Sequence, residues 1–172
     1  MHGTEPRILY TVARNEAPVK ATGEESRGPI AHALETWNEW APGIMPGSAL
    51  ILLDFDGTLS DIASRPELAV LLPRRRELVK RLAERYRVGF LSGRGLEDLR
   101  ERVGVADLIY GGNHGLEIEG PDALKFCHPT AVSVRELTQE LCEALSRELE
   151  PYRGSLVENK GLSFSVHFRE VD

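Results

Sequence analysis

Residues 49–60 read Ala49-Leu50-Ile51-Leu52-Leu53-Asp54-Phe55-Asp56-Gly57-Thr58-Leu59-Ser60, two carboxylates and a glycine set directly behind an unbroken apolar run. Five apolar residues without polar alternation predict a central parallel strand covered by helices on both faces. In open α/β sheets the ligand crevice lies outside the carboxyl ends of the strands, so the chemistry belongs at Asp54 and just beyond it. Gly57 lets the backbone turn sharply there and approach an anion closely. A turn beginning near Asp56 is expected to bring both acids toward one cavity. The plain alternative is a strand ending in an acidic turn, since Asp-Gly is common turn chemistry. The coincidence of strand, paired acids and Gly-Thr points instead to phosphoryl transfer.

A second strand end follows. Arg87–Leu91 carries Val88, Phe90 and Leu91 and runs into Ser92-Gly93-Arg94 ahead of a helix led by Leu96, Leu99 and Val103. Ser92 is therefore expected beside the first acidic stretch. Taken alone, the same residues read as a strand-to-helix turn with a capping serine. Arg94 stays open between contact with phosphate or substrate and simple cover of the sheet edge.

Leu108, Ile109 and Tyr110 predict a third strand leading into Gly111-Gly112-Asn113-His114-Gly115 and a hairpin through Leu116, Ile118 and Gly120. This alternation of strand and helix predicts a parallel sheet with right-handed crossovers. Val134, Leu137, Leu141, Leu145 and Leu149 mark a long amphipathic helix stopped by Pro151. Leu162, Phe164, Val166 and Phe168 alternate with Ser163, Ser165, His167 and Arg169, a strand with one apolar and one polar face. Such a one-sided sheet suits a lid whose apolar face packs on helices while its polar face looks into a cleft.

The chain has 172 residues and a formal net charge of -6, with a pI near 5.5. That balance gives no support to a nucleic-acid surface, which would be basic and clustered. Arg74, Arg75 and Arg76 open a helix whose Leu78, Val79, Leu82 and Ala83 form the buried side, so the run reads as a solvated face. Cys127 and Cys142 are too few for a disulfide scaffold and too far apart for a compact metal motif, and read as structural thiols in a reducing compartment. No apolar stretch reaches membrane-span length and the N-terminus lacks a signal peptide's apolar region, which reads as cytoplasmic. Apart from the Ile8–Val12 patch, residues up to about Gly28 have the composition of poorly ordered chain. Ile30, Ala33, Leu34, Trp37 and Trp40 then recur at helical spacing as a packing face, ended by Pro42 and Gly43.

Asp54-Phe-Asp56-Gly-Thr58-Leu-Ser60 resembles the first motif of the haloacid dehalogenase superfamily. LLDFDGTLSDIA, FLSGRGLEDLR, IYGGNHGLEIEG and VENKGLSFSVHFR in this order resemble the N-terminal part of trehalose 6-phosphate phosphatases, over roughly Ala49 to Arg169. The resemblance implies an α/β fold, a Rossmann-like parallel sheet of the haloacid dehalogenase type with an inserted α+β cap, both incomplete in this chain. It divides the chain into an N-terminal extension with one amphipathic helix (1–47), the N-terminal part of the hydrolase core (48–128) and the start of a truncated cap (129–172).

The implied activity is hydrolysis of trehalose 6-phosphate to trehalose and phosphate. Asp54 would be the nucleophile that forms an aspartyl phosphate, and Asp56 the general acid and base. Thr58 and Ser92 would hold phosphate. Magnesium is implied, with the Asp54 carboxylate and the Asp56 backbone carbonyl as its ligands. An Asp at position 56, where the superfamily's ion-pumping ATPases have Thr, favours a phosphatase. Glu158 and Lys160 would contact sugar hydroxyls; without the resemblance they equally fit a surface ion pair. Asn113 and His114 would shape the loop bordering phosphate and cap, and His114 equally fits a structural histidine.

The family's later core lysine and its acidic metal motif have no counterpart in these residues, so this chain reads as an N-terminal fragment or truncated product with little activity alone. Another sugar phosphate as substrate, or a noncatalytic remnant that binds sugar phosphate or a partner subunit, are the alternatives. Oligomeric state is not legible.

Overall fold

A computed structural model describes residues 7–9 and 32–171. Its main sheet has six strands in sequential order: β1 (Arg7–Leu9), β2 (Ala49–Leu53), β3 (Arg87–Leu91), β4 (Ile109–Gly112), β5 (Glu117–Glu119) and β6 (Lys125–Cys127). The first four are parallel, and β5 and β6 extend the sheet as antiparallel neighbours. Helices α2 (Pro73–Ala83) and α3 (Leu96–Val103) make the crossovers from β2 to β3 and from β3 to β4. A second unit follows, built of α4 (Pro129–Ser133), α5 (Arg135–Leu149) and the antiparallel pair β7 (Leu156–Asn159) and β8 (Phe164–His167). This is the expected parallel core followed by an α+β cap.

The core lies between the helices and the middle of the sheet. Leu96, Leu99 and Val103 present one buried face of α3, spaced three and four residues apart. They meet Phe55, Val79, Val88, Phe90, Leu108 and Tyr110, where Phe90 stacks on Tyr110 with ring centroids 5.9 Å apart. Gly104, at φ 60, closes α3 in the left-handed conformation that glycine adopts at little cost. Gly112 serves closeness rather than conformation. A β-carbon there would lie 2.5 Å from the Leu96 backbone nitrogen, so only glycine lets the start of α3 cross the end of β4.

Several expectations are corrected. β2 is half-buried along its whole length, not sealed on both faces, because α2 and α3 pack over β3 and β4. Leu78 on α2 is exposed, whereas Val79 is buried and Leu82 and Ala83 border the core. Arg75 and Arg76 are not a solvated run. Arg75 donates to the Leu59 carbonyl and pairs with Asp61, and Arg76 donates to the Val103 and Arg102 carbonyls at the end of α3.

The tryptophan stripe forms only one helical turn, α1 (Trp37–Trp40), and buries nothing: Leu34 and Trp37 are exposed and the two indoles pack edge to face on each other. Ile30 and residues 10–28 lie outside the described residues, and Arg7–Leu9 supply the edge strand of the sheet. On α5, Thr138 and Cys142 are the buried positions, while Val134, Leu137 and Leu141 of the expected stripe are exposed. Leu145 and Leu149 of the stripe are half-buried on the same side as Thr138 and Cys142, so the face that packs overlaps the C-terminal part of the stripe and leaves its N-terminal part exposed.

Candidate active site

Phe55 decides the geometry of the first acidic stretch. Its ring is fully buried in the core, and side chains alternate along extended backbone, so its neighbours Asp54 and Asp56 emerge together on the opposite, exposed side. Alternation, rather than a turn starting at Asp56, unites the two acids. The turn comes next and keeps the pair in place. Leu59 and Ser60 donate their backbone N–H groups to the Phe55 carbonyl at 3.0 and 2.9 Å, and Gly57, at φ 78, donates to the Ser60 carbonyl at 2.9 Å. Thr58 Oγ1 donates to Asp54 Oδ2 at 3.0 Å, leaving Asp54 Oδ1 without a hydrogen bond among the described residues.

Asp56 is held differently. Arg94 grips its carboxylate with two hydrogen bonds, Nε to Oδ2 at 2.8 Å and Nη2 to Oδ1 at 2.7 Å. The same guanidinium donates to Asp98 at 2.8 Å and to the Pro66 carbonyl at 2.9 Å, and lies 5.4 Å from the Phe55 ring centroid. Four of its five N–H donors are thus committed to the protein, at the edge of the cleft that Arg94 also lines. Burial opposes the charge on Arg94, but the bonds to Asp56 and Asp98 outweigh it and raise its pKa above the ordinary value.

Burial likewise opposes charge on Asp98, yet the hydrogen bonds from Arg102 and Arg94 hold its carboxyl below the ordinary value of 3.8. A carboxyl depressed by folding stabilises the fold above its unfolded value, and that contribution is lost as pH falls through the depressed one. Replacing Asp98 with Asn should therefore lower the urea midpoint at about pH 6, and the gap from the parent should narrow as pH falls below 3.8. A gap independent of pH would show that the ionised carboxylate contributes nothing.

The cleft above these acids, about 650 Å³, also receives Ser92, Gly93 and His114 from the core and Glu158, Lys160 and His167 from the cap. Ser92 is buried at the end of β3, and its Oγ accepts the Arg94 backbone N–H at 3.2 Å. His114 is exposed, with a positive φ of 59, and its ring lies so close to Gly93 that a β-carbon there would meet it at 2.6 Å. In the cap, Glu158 and His167 lie diagonally on one face of the β7–β8 pair, with Glu158 Oε2 2.8 Å from His167 Nε2 and 3.6 Å from Lys160 Nζ. Lys160 also donates to the Gly93 carbonyl at 3.0 Å. The polar face of the hairpin thus looks into the cleft, but Val166 and Phe168 line it too, and Phe168 is 79% exposed rather than packed on a helix. A second cavity of about 640 Å³ beside the end of α3 contains none of the candidate residues.

Asn113 does not line this cleft. It is buried and fastens cap to core: its Nδ2 donates to Glu117 at 2.7 Å and to the Lys160 carbonyl at 3.0 Å, and its Oδ1 accepts from Ser163. A second tie forms where Arg169 donates to the Ala63 carbonyl and Glu170 pairs with Arg65. Sequence reasoning passed over His167 and Asp98 as site residues. His167 sat on the polar face of a strand already assigned to the cleft, and Asp98 is four residues from both Arg94 and Arg102, the spacing of helical ion pairs.

The family model for trehalose-phosphatase matches residues 52–172. The chain belongs to the trehalose-phosphatase family. It is 34% identical over 150 residues to a trehalose-phosphate phosphatase of Mycobacterium tuberculosis, covering 87% of this chain and 38% of that protein. An uncharacterized glycosyl hydrolase of the same species is 34% identical over 175 residues, covering 99% of this chain and 13% of its own much greater length. The C-terminal domain of the trehalose-6-phosphate phosphatase of C. albicans superposes with a TM-score of 0.68 over 84% of this chain and 50% of that one, at 22% identity. That superposition shows a shared fold. The chain therefore spans well under half the length of its mycobacterial phosphatase relative and half of the fungal domain.

The oxygen donors around Asp54 are the kind a hard divalent cation takes. The Asp54 carboxylate is exposed, and the Asp56 carbonyl accepts no hydrogen bond among the described residues. The same residues contain no group of three or more side chains able to hold a metal ion.

Proposed function

We propose that this chain carries the nucleophile half of a phosphatase that hydrolyses trehalose 6-phosphate to trehalose and phosphate. The observation that carries the reading is one cleft holding Asp54 and Asp56 on its floor and Glu158, Lys160 and His167 on its roof. An Asp54 oxygen attacks phosphorus and the P–O bond to the sugar breaks, leaving an aspartyl phosphate. Asp56 delivers a proton to the departing sugar oxygen, then takes one from the water that hydrolyses the aspartyl phosphate. Thr58 and Ser92 bind phosphate oxygens, Glu158 and Lys160 the sugar hydroxyls, and His114 borders the phosphate and the cap. Arg94 and Asn113 act by holding Asp56 and the cap turn rather than by touching sugar. Magnesium, held by the Asp54 carboxylate and the Asp56 carbonyl, would neutralise charge between phosphate and nucleophile.

We keep the division into extension, core (48–128) and cap (129–172), a cytoplasmic setting in keeping with two free cysteines, and no nucleic-acid or membrane partner. Among the described residues no helix is long and apolar enough to cross a membrane. Phosphate release from trehalose 6-phosphate, set against a panel of other sugar phosphates with magnesium present, tests the reading. Faster release from another sugar phosphate would move the substrate. Glu158→Gln should raise KM about tenfold with kcat nearly kept, the mark of a contact made equally in the ground and transition states. An unchanged KM would remove Glu158 from the sugar site. The two-oxygen cation site favours a second reading, a sugar-phosphate-binding segment with little turnover. Binding of trehalose 6-phosphate without phosphate release would support it.

A further inference from the structure

We infer that Asp98 is a positioning residue for Asp56, acting through the buried Arg94 guanidinium. The inference rests on the role proposed above for Asp56 as proton donor and acceptor. Asp56 is 44% exposed, and among the described residues Arg94 alone hydrogen bonds its carboxylate. The orientation of the acid is therefore the orientation of the guanidinium. Arg94 is 7% exposed, and its plane is fixed on the far side by Asp98 Oδ2 at 2.8 Å and the Pro66 carbonyl at 2.9 Å.

Asp98 is itself clamped. Arg102 Nε lies 2.7 and 2.9 Å from its two oxygens, and Arg102 Nη1 donates to the Glu67 and Ala69 carbonyls. A line of alternating charge, Arg102 to Asp98 to Arg94 to Asp56, thus runs from the backbone of residues 66–69 into the cleft. Its members are joined by charge-assisted bonds, the strongest and most directional in the protein repertoire. Asp98 does not line the cleft, so it acts on the reaction through the groups it holds, and of these Arg94 is the one bonded to Asp56. Removing one of the supports lets the fork rotate, and a small misplacement of a proton-transfer group lowers rate steeply.

The test separates proton delivery from general damage. Trehalose departs from its 6-phosphate as a poor alkoxide leaving group and needs the proton from Asp56, whereas p-nitrophenyl phosphate expels a stable phenolate that does not. In Asp98→Asn, kcat for trehalose 6-phosphate should fall roughly 10- to 100-fold with KM within about twofold, while the pre-steady-state burst of nitrophenolate keeps its rate within about twofold. Asp98→Glu, which restores the charge, should recover part of the loss. An equal fall on both esters, or no fall on either, overturns the inference.

A second measurement requires no turnover. The Arg94 Nε–Hε resonance of the 172-residue chain should be protected from exchange, and should shift and lose protection in Asp98→Asn. An unchanged resonance overturns the inference. Absence of phosphate release from both esters by the parent chain would instead count against the proposed function, with the resonance alone deciding the role of Asp98.

Discussion

Asp54→Asn should lower turnover on the order of 10⁴-fold or more in any active preparation containing these residues, because a carboxamide cannot form the acyl phosphate that divides the reaction into two steps. The substitution is nearly isosteric, and an Asn oxygen can still accept the Thr58 hydroxyl that Asp54 Oδ2 accepts at 3.0 Å. Asp54 is also exposed, so the fold has little to lose. Loss of phosphate release with an unchanged urea midpoint is the expected result. Retained turnover would remove Asp54 as nucleophile. Acid-stable incorporation of labelled phosphate at another residue would identify its replacement.

Asn113→Ala should destabilise the chain by about 3 kcal/mol, the largest stability effect expected of a site residue. It removes three hydrogen bonds at a buried position, those to Glu117, the Lys160 carbonyl and Ser163, each contributing roughly 1 kcal/mol; Glu117 and the Lys160 carbonyl keep the Leu96 and Leu162 N–H groups. Asn113 also sits at φ 49, a left-handed conformation that asparagine tolerates better than alanine. The loss should concentrate in the cap. Amide exchange in β7 and β8 should accelerate more than in β3 and β4, since Asn113 ties the turn between the cap strands to the core. A loss below about 1 kcal/mol, or exchange that rises uniformly, would show that the cap is held by other contacts.

The two kinds of residue in these predictions were not equally legible. The bounds of β2 and β3 and the helix behind Ser92-Gly93-Arg94 followed from apolar runs and helical spacing, which are local properties of the chain. So did the placing of Asp54 and Asp56 together at the end of β2, where both line one cleft. The partners of Arg94 did not follow, because its two readings, ligand contact or edge cover, differ only in where Asp56, Asp98 and Pro66 arrive around it. Asn113 was read as shaping the loop that borders phosphate and cap. Its actual partners, Lys160 and Ser163, lie 47 and 50 residues away, and no local pattern encodes that meeting. The N-terminal part of the apolar stripe of α5 misled for a related reason: hydropathy reports which face prefers burial, whereas the packed face is the one that meets the cap sheet.

By itself the sequence determined strands β2, β3 and β4 with the helices between them, the acidic loop closed by Gly57, and the family. These depend on periodicity and on residue types at fixed short spacing. Tertiary structure alone decided how that loop is used. Phe55, sunk into the core, turns both flanking acids outward, Arg94 fixes one of them, and the hairpin bearing Glu158 and His167 is brought over the pair. Each of these depends on contacts between residues distant in the chain, and such contacts exist only once the sheet has set the distances.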